Sequence, residues 1–379
     1  MSTLPGPVPG AGTAHYRVVL CDLRTDRVLE VLPVTQLSFD DFIGKSGSLT
    51  ATVPVPNRAL AVRLRAVLVT GRTAVWVERD GDVWWGGLLW TSTVSSDDRG
   101  VVQIEIQAGT FDSYLDHRIL YQSLTATDVD QFAIARALVE HVQAAEGGDI
   151  GIRTGTELSG VRRTLGYSFA EAARVRELLD NLAALENGFE WRIACHRDPH
   201  TGRRVKRLQL GHPKIRVGTT DTVLDYPGHV LTYSLPGDST VQANVWLARG
   251  DAPEATGEEP AQEPGPTLSE LWFHHSSIAA GWPLLDGTSD HSAVTDPAVL
   301  NSAARAALHQ YHRPEVIPEV TVRLDGRITP ALLGSTIRFR FRDLWHTAED
   351  DTRYRVVGLA VTAPVRGTAE TALLYLEVP

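Results

Sequence analysis

Thr73 to Trp90 reads TAVWVERDGDVWWGGLLW, and this stretch decides the fold class. Asp80-Gly81 at its centre is a two-residue turn of the kind that tolerates positive φ, as a type I′ hairpin requires. In the strand after the turn, period-two alternation puts Val83, Trp85 and Leu89 on one face. Trp84, Leu88 and Trp90 fall on the other. Both faces are apolar, which a sheet with one face in water does not want. Either both faces are covered within the fold, or one meets another subunit.

Short strands continue on both sides of the hairpin. Tyr16–Leu23, Val28–Leu32, Ser48–Val53 and Val101–Ala108 have extended or alternating patterns separated by turn residues. These predict a β-barrel or sandwich over residues 15–122, after a Pro/Gly-rich arm at 1–14. Residues 123–195 read as a small α/β domain. One helix is expected from an N-cap at Thr127, with Asp128 and Asp130 in its first turn, to Gly147-Gly148. A second is expected from a capping box, Ser168 with Glu171, to Asn187-Gly188, burying Val175, Leu178, Leu179, Leu182 and Leu185. Strand patterns return at 196–248 and 315–379, giving a second β-barrel. Residues 249–314 are read as an insertion, with an acidic loop at 251–266 and a helix capped by Asp296-Pro297. The expected class is α+β, mainly β.

Composition excludes several functions. The chain has 379 residues, 43% of them hydrophobic and 22% charged, which is ordinary globular usage. No apolar run approaches the roughly 18–20 residues of a membrane helix, and the N-terminus lacks a signal-peptide pattern. The reading is synthesis in a cytoplasm and use without export, with no stable membrane association. A net charge of −10 argues against stable nucleic-acid binding. Two cysteines, Cys21 and Cys195, make no disulfide framework.

Candidate chemistry is sparse. There is no GxSxG, HExxH, Walker A loop or Rossmann fingerprint. Cys195, His196, His200 and His212 flank a turn at irregular spacing, unlike the two close ligand pairs of most zinc sites. His274-His275 beside Trp272 and Phe273 read as an aromatic anchor for the insertion. Asp40-Asp41, Asp97-Asp98 and Asp350-Asp351 are adjacent acids, whereas a glycosidase pair converges across a cleft. Ile337–Arg342, IRFRFR, leaves Arg338, Arg340 and Arg342 in a row above a buried Ile337, Phe339 and Phe341. Such a row either binds phosphate or pairs with acids on a neighbouring strand or subunit. Trp76, Trp84, Trp85 and Trp90 either stack sugars or form core and interface. Core and interface is the reading taken, because they occupy both faces of one hairpin. No enzyme, metal or cofactor is expected.

The order of these features resembles the tail hub proteins of tailed bacteriophages, also described as minor tail or baseplate hub proteins. The residues that carry the resemblance are the Trp-rich hairpin, SFAEAARVRELLDNLAALENGFEWRI at 168–193 and VTVRLDGRITPALLGSTIRFRFRD at 320–343. TRYRVVGLAVTAP at 352–364 and ALLYLEV at 372–378 complete it. The resemblance implies two tail-tube-like β-barrels per chain and a homotrimer whose pseudo-hexameric ring adapts a sixfold tube to a threefold tip. It implies contacts with a distal tail or tail-tube protein, a tape measure protein and other tail-tip or receptor-binding proteins, with DNA only in transit. Trp84, Trp85 and Trp90, with Arg338, Arg340 and Arg342, are the expected interface residues. The chain ends with its last strand, so no lytic domain is expected after the hub. The alternatives are a host-surface carbohydrate-binding or hydrolase module, and the hub of a contractile injection system.

Overall fold

The computed structural model describes residues 14–216, 218–252, 265–292, 294–314, 318–324, 326–346, 350–364 and 370–377. The arm at 1–13 and most of the acidic loop therefore lie outside the described residues. The N-terminal half holds strands β1 (Tyr16–Asp22), β2 (Val28–Leu32), β3 (Thr35–Phe42) and β4 (Ser48–Val55). Helix α1 (Arg58–Val67) and strands β5 (Thr73–Arg79), β6 (Asp82–Ser96) and β7 (Val102–Thr110) follow. The middle holds β8 (Leu124–Asp130), α2 (Gln131–Ala144), β9 (Ile152–Arg153), β10 (Arg162–Tyr167) and α3 (Val175–Ala183). It continues with β11 (Glu190–Arg197) and β12 (Arg204–Gly211). The C-terminal half starts with β13 (Thr219–Tyr226) and β14 (Val230–Ser234). Inserted next are β15 (Val245–Gly250), β16 (Trp272–Phe273), α4 (His275–Ala279), β17 (Asp286–His291) and α5 (Pro297–Tyr311). β18 (Glu319–Arg323), β19 (Thr336–Phe341), β20 (Asp350–Thr362) and β21 (Thr371–Glu377) complete it.

The mainly β class holds, but the two halves do not form separate barrels. Their strands make one 13-stranded sheet, ordered β14-β18-β21-β20-β3-β4-β7-β6-β5-β1-β2, with β19 and β13 branching from β20. Among the described residues no pairing closes it into a barrel. The join is an antiparallel ladder from Gly358 opposite Phe42 to Thr362 opposite Ser38. One apolar core follows from it, in which Val18, Leu49 and Trp85 pack with Ile337, Phe339 and Leu374. Each such buried side chain contributes about 1.5–3 kcal/mol.

Within that sheet the halves repeat one topology. β3-β4-β7-β6-β5 and β14-β18-β21-β20-β19 stand in the same spatial order. In each, a helical turn (α1, or the short turn Pro330–Leu332) precedes a three-strand meander. The middle strand of each meander is long. It pairs with the strand before it over its first part and the strand after it over its second. The repeats differ at the flank, since β1 runs antiparallel to β5 whereas β13 runs parallel to β19.

Local signals held unevenly. Asp80 and Gly81 both have positive φ (52° and 94°), as the hairpin turn needs. Asp296 accepts from the Ala298 amide at 2.8 Å and Pro297 opens α5 as expected. The expected α2 start at Thr127 is corrected to Asp130, which accepts from the Phe132 amide at 2.9 Å. Residues before it pair with β10 instead. Ser168 caps only a short turn, Phe169–Glu171; Ala172 at φ 49° breaks it and α3 starts at Val175. The buried stripe of α3 is the predicted one. Helix α1 was not foreseen, although Asn57 accepts from the Leu60 amide at 2.9 Å and Leu60 and Leu64 are spaced for burial. β12, read as part of the second β region, pairs with β11 and β9 in a three-stranded sheet.

Arg355, only 2% exposed, ties the C-terminal half to the middle of the chain. Its guanidinium donates to Glu377 at 2.6 Å, Glu190 at 2.8 Å and the Ile215 carbonyl at 2.6 Å. Arg355→Met removes this cation from Glu190 and from Glu377, which keeps Lys214 at 2.8 Å, and should cost about 1.5–3 kcal/mol at neutral pH. Urea unfolding checks this; an unchanged midpoint would remove Arg355 from the stabilising contacts.

Candidate functional site

The tryptophan hairpin sits between two cores. β6 carries an extra residue, because the ladder pairs Val77 with Trp85 but Glu78 with Val83, leaving Trp84 as a bulge. The expected alternation is thereby corrected. Trp84, Trp85 and Leu89 all face the core shared with the C-terminal half, while Val83 and Leu88 join Trp76 against the helical middle. Both faces of the hairpin are thus covered within the chain, the first of the two arrangements that its sequence allows. Two glycines make room for the rings. A Cβ on Gly86 would stand 2.6 Å from the Trp76 ring, and one on Gly87 2.4 Å from the Trp85 ring.

The expected interface residues take distinct places. Trp84 and Trp85 are 5% and 1% exposed, and the Trp85 indole donates to the Asp40 carbonyl at 2.8 Å. Trp90 is half-buried, donating to Ser113 Oγ at 2.8 Å. Ile337, Phe339 and Phe341 are buried as expected, with the arginines above them. Arg338 grips Asp351 on β20 with two donors. Arg340 lies 3.8 Å from Asp351 and 3.9 Å from Asp225. Arg342 is exposed, and its amide donates to the Tyr226 carbonyl at 3.1 Å. Arg338 and Arg340 therefore pair with acids on strands of their own chain.

The other candidates separate. The His212 ring meets the Gly188 carbonyl at 2.8 Å, and Cys195 Sγ lies 3.8 Å from the Gly86 carbonyl. Among the described residues no three His, Cys, Asp or Glu side chains are placed to hold a metal ion. Asp97 caps its own turn, accepting from the amides of Arg99 and Val101 at 3.0 and 2.8 Å. Trp272 anchors β16 on α5 through Asn301 at 3.2 Å, with Arg305 over its ring at 4.9 Å. The His274 and His312 rings meet nearby at a tilt, ring centres 4.1 Å apart. No described helix is long and apolar enough to cross a membrane.

Buried ion pairs hold the units around the hairpin. Glu78, 2% exposed, receives Arg197 at 2.6 Å and Arg204 at 3.0 Å. Arg79 forks onto Glu370 at 2.8 and 2.7 Å, joining β5 to the residue just before β21. Arg192 meets Asp41 at 2.6 Å, and Arg176 meets Asp112. Burial raises the Asp41 carboxyl to about 6, against the opposing pull of Arg192. Lys206, 4% exposed, donates to the carbonyls of Leu23 at 3.1 Å and Ile150 at 2.6 Å, and burial lowers its pKa.

Exposed apolar side chains mark what the sequence reading overlooked. Leu344 and Trp345, 101% and 79% exposed, cap the end of β19. Asp343 orders this tip, accepting from the amides of Trp345 and His346 at 2.9 Å and from the Tyr233 hydroxyl. The Tyr233 hydrogen bond holds its carboxyl near 2. An apolar pair two residues past a strand pattern and shortly before an acidic run was the available signal. Leu268, Leu271, Phe273, Trp282 and Leu284 are exposed on the insertion.

This fold is that of phage tail proteins. The tail protein from Neisseria meningitidis MC58 superposes with a TM-score of 0.58 over 96% of both chains at 10% identity. The prophage MuSo2 43 kDa tail protein from Shewanella oneidensis gives 0.55 over 96% of this chain and 98% of that one, at 12% identity. Prophage tail protein gp18 from Listeria monocytogenes EGD-e gives 0.51 over 95% and 94%, at 11% identity. No protein-family model matches the sequence, and no curated protein matches it in sequence.

The Asp41 shift has a definite sign. Its folded pKa, about 6, lies above the ordinary 3.8, so its contribution is fully present below about pH 3.8 and is lost as pH rises through 6. Between pH 4 and 7 the wild type should lose up to about 3 kcal/mol more stability than Asp41→Asn. Parallel pH profiles of urea unfolding would show that Asp41 does not titrate in this way.

Proposed function

We propose that this chain is a structural component of a bacteriophage tail tip. It acts as a trimeric hub that caps or extends the tail tube and adapts sixfold to threefold symmetry. The observation that carries the reading is the likeness to a tail protein over 96% of both chains at a TM-score of 0.58. The repeated strand order supports it, because three copies of a two-repeat chain supply six near-equivalent wedges. The wedges are the two parts of the large sheet, β1–β7 and β13, β14 with β18–β21, with the α/β unit between them in sequence and the β15–α5 insertion within the second. The net charge of −10 suits a lumen that DNA crosses without sticking.

In this role the chain works by assembly and not by catalysis. It sits at the tail tip of the virion, against a distal tail or tube protein and the tape measure protein, with receptor-binding proteins outside. Trp90, Arg338, Arg340 and Arg342 reach its surface and remain the expected contact residues; Trp84 and Trp85 act from beneath by setting the hairpin shape. Burial of the hairpin tryptophans favours this reading over sugar stacking, which needs exposed rings in a groove.

Light scattering on the purified chain tests it, together with negative-stain images. Three copies closing a ring with six similar lobes are expected. A stable single copy at micromolar concentration, with no ring in the images, would sink the reading.

A further inference from the structure

Strand β11 has an open edge. In the β9-β12-β11 sheet only β12 pairs with it among the described residues. The Asp198 amide donates to the Arg203 carbonyl at 2.8 Å, which sets the phase of the β11-β12 ladder. Alternate pairs of an antiparallel ladder are hydrogen-bonded. Ala194 and His196 therefore turn their backbone groups to β12, whereas Ile193, Cys195 and Arg197 turn theirs outward. Lys206, opposite Cys195, likewise turns away, toward β9. No described backbone group pairs with the outward ones. Ile193 is buried, and buried backbone groups are almost always paired. A cleft of about 360 Å³ lies against this edge, with Asp82, Trp84, Cys195, Arg197, Pro330 and Leu333 in its lining.

The N-terminal arm enters the fold beside that cleft. The described chain begins at Ala14. The His15 amide donates to Asp80 Oδ1 at 2.8 Å, and the Asp80 amide donates to the His15 carbonyl at 3.0 Å. Arg197, at the end of β11, donates to the carbonyl of the next residue, Gly81, at 2.9 Å. The arm and β11 thus both run toward one turn. We propose that residues 4–10 of the arm form a fourth strand of this sheet, parallel to β11 of their own chain and lying in the cleft. Parallel geometry sets Val8 beside Ala194, donating to the Ile193 carbonyl and accepting from the Cys195 amide. Gly10 does the same with Cys195 and Arg197. The five steps from Gly10 to His15 reach up to about 17 Å, more than the one arginine side chain by which β11 already touches the turn.

The arm has the composition of an outermost strand. Residues 4–10 read Leu-Pro-Gly-Pro-Val-Pro-Gly, with proline at every second position. Proline has no N–H, so a sheet accepts it only at an edge with its nitrogen facing away. In this register Leu4, Gly6, Val8 and Gly10 present their N–H groups to β11, and Pro5, Pro7 and Pro9 all face outward. The same prolines blunt the new edge against further pairing. Tethering favours the arm over a free occupant, because it is held beside the cleft at high effective concentration. The cleft is walled by β6 of the N-terminal half, β11 of the middle and the turn Pro330–Leu332 of the C-terminal half. The arm therefore straps the place where all three parts of the chain meet.

Amide hydrogen exchange tests the pairing on the full chain, on a chain lacking residues 2–13, and on Val8→Pro and Pro7→Ala. The Cys195 and Arg197 amides should exchange roughly tenfold or more slower in the full chain than in the shortened one. Val8→Pro removes a donor that faces β11 and should behave as the shortened chain does. Pro7→Ala changes an outward position and should behave as the full chain does. Unchanged exchange in β12 shows that each variant is folded. Val8→Cys combined with Ala194→Cys should form a disulfide within one copy under mild oxidation, because neighbouring strands stand about 4.8 Å apart. Equal exchange at Cys195 and Arg197 with and without the arm overturns the proposal, and so does protection that survives Val8→Pro. A disulfide that joins two copies instead assigns the arm to a neighbour and overturns the pairing within the chain.

Discussion

The ladder between β20 and β3 is the constraint on which the remaining structure depends. β20 is long enough to hold three neighbours, β19 on its first part, β21 on its second and β3 beside the end of the second. Because β3 comes from the start of the chain and β20 from its end, this ladder converts two repeats into one sheet. The shared core then forms by necessity, since apolar faces of both repeats come to lie over one another. Gly358 sits at the first rung for a steric reason. A Cβ there would stand 2.3 Å from the Phe42 ring, so a side chain would push β3 off the end of β20.

The middle of the chain is fastened to this sheet by charge as well as by apolar contact. The acids Asp41, Glu78 and Asp112 lie on N-terminal strands or just after them, and each is met by an arginine from beyond residue 170. Each partner is costly to bury alone and acceptable only in place. Such pairs disfavour alternative packings more than they add net stability, and this suits a protein whose outline has to match its neighbours.

Much of this was readable from residue order. The Asp80-Gly81 turn, the stripe of α3, the Asp296-Pro297 start of α5 and the strands after residue 318 are local signals, and local signals survive folding. The failures have a common cause. Thr127 looked like a helix cap because Asp128 and Asp130 followed it, but a cross-strand partner in β10 claimed those residues for a strand. Trp84 was read onto the face opposite Trp85 because a one-residue bulge leaves no trace in a period-two pattern. Arg192 and Asp41 are 151 positions apart, and nothing near either residue names the other. The separate barrels failed for the same reason, since the ladder that merges them is the longest-range strand pairing among the described residues. Of the expected site, the buried row under the arginines was legible from alternation. The Leu344-Trp345 tip was overlooked because a dipeptide has no period.

The placement of the ion pairs also divides the molecule by its response to ionic strength. Arg79–Glu370, Arg192–Asp41 and Arg355–Glu377 have little contact with solvent, so dissolved counterions reach them poorly. Arg162–Asp128, Arg207–Glu157 and Arg249–Asp290 stand in water on the middle unit and the insertion, where added salt weakens attraction. Brine therefore loosens the outlying parts of the protein first, and the join between its halves stays fastened in surroundings that range from dilute to saline.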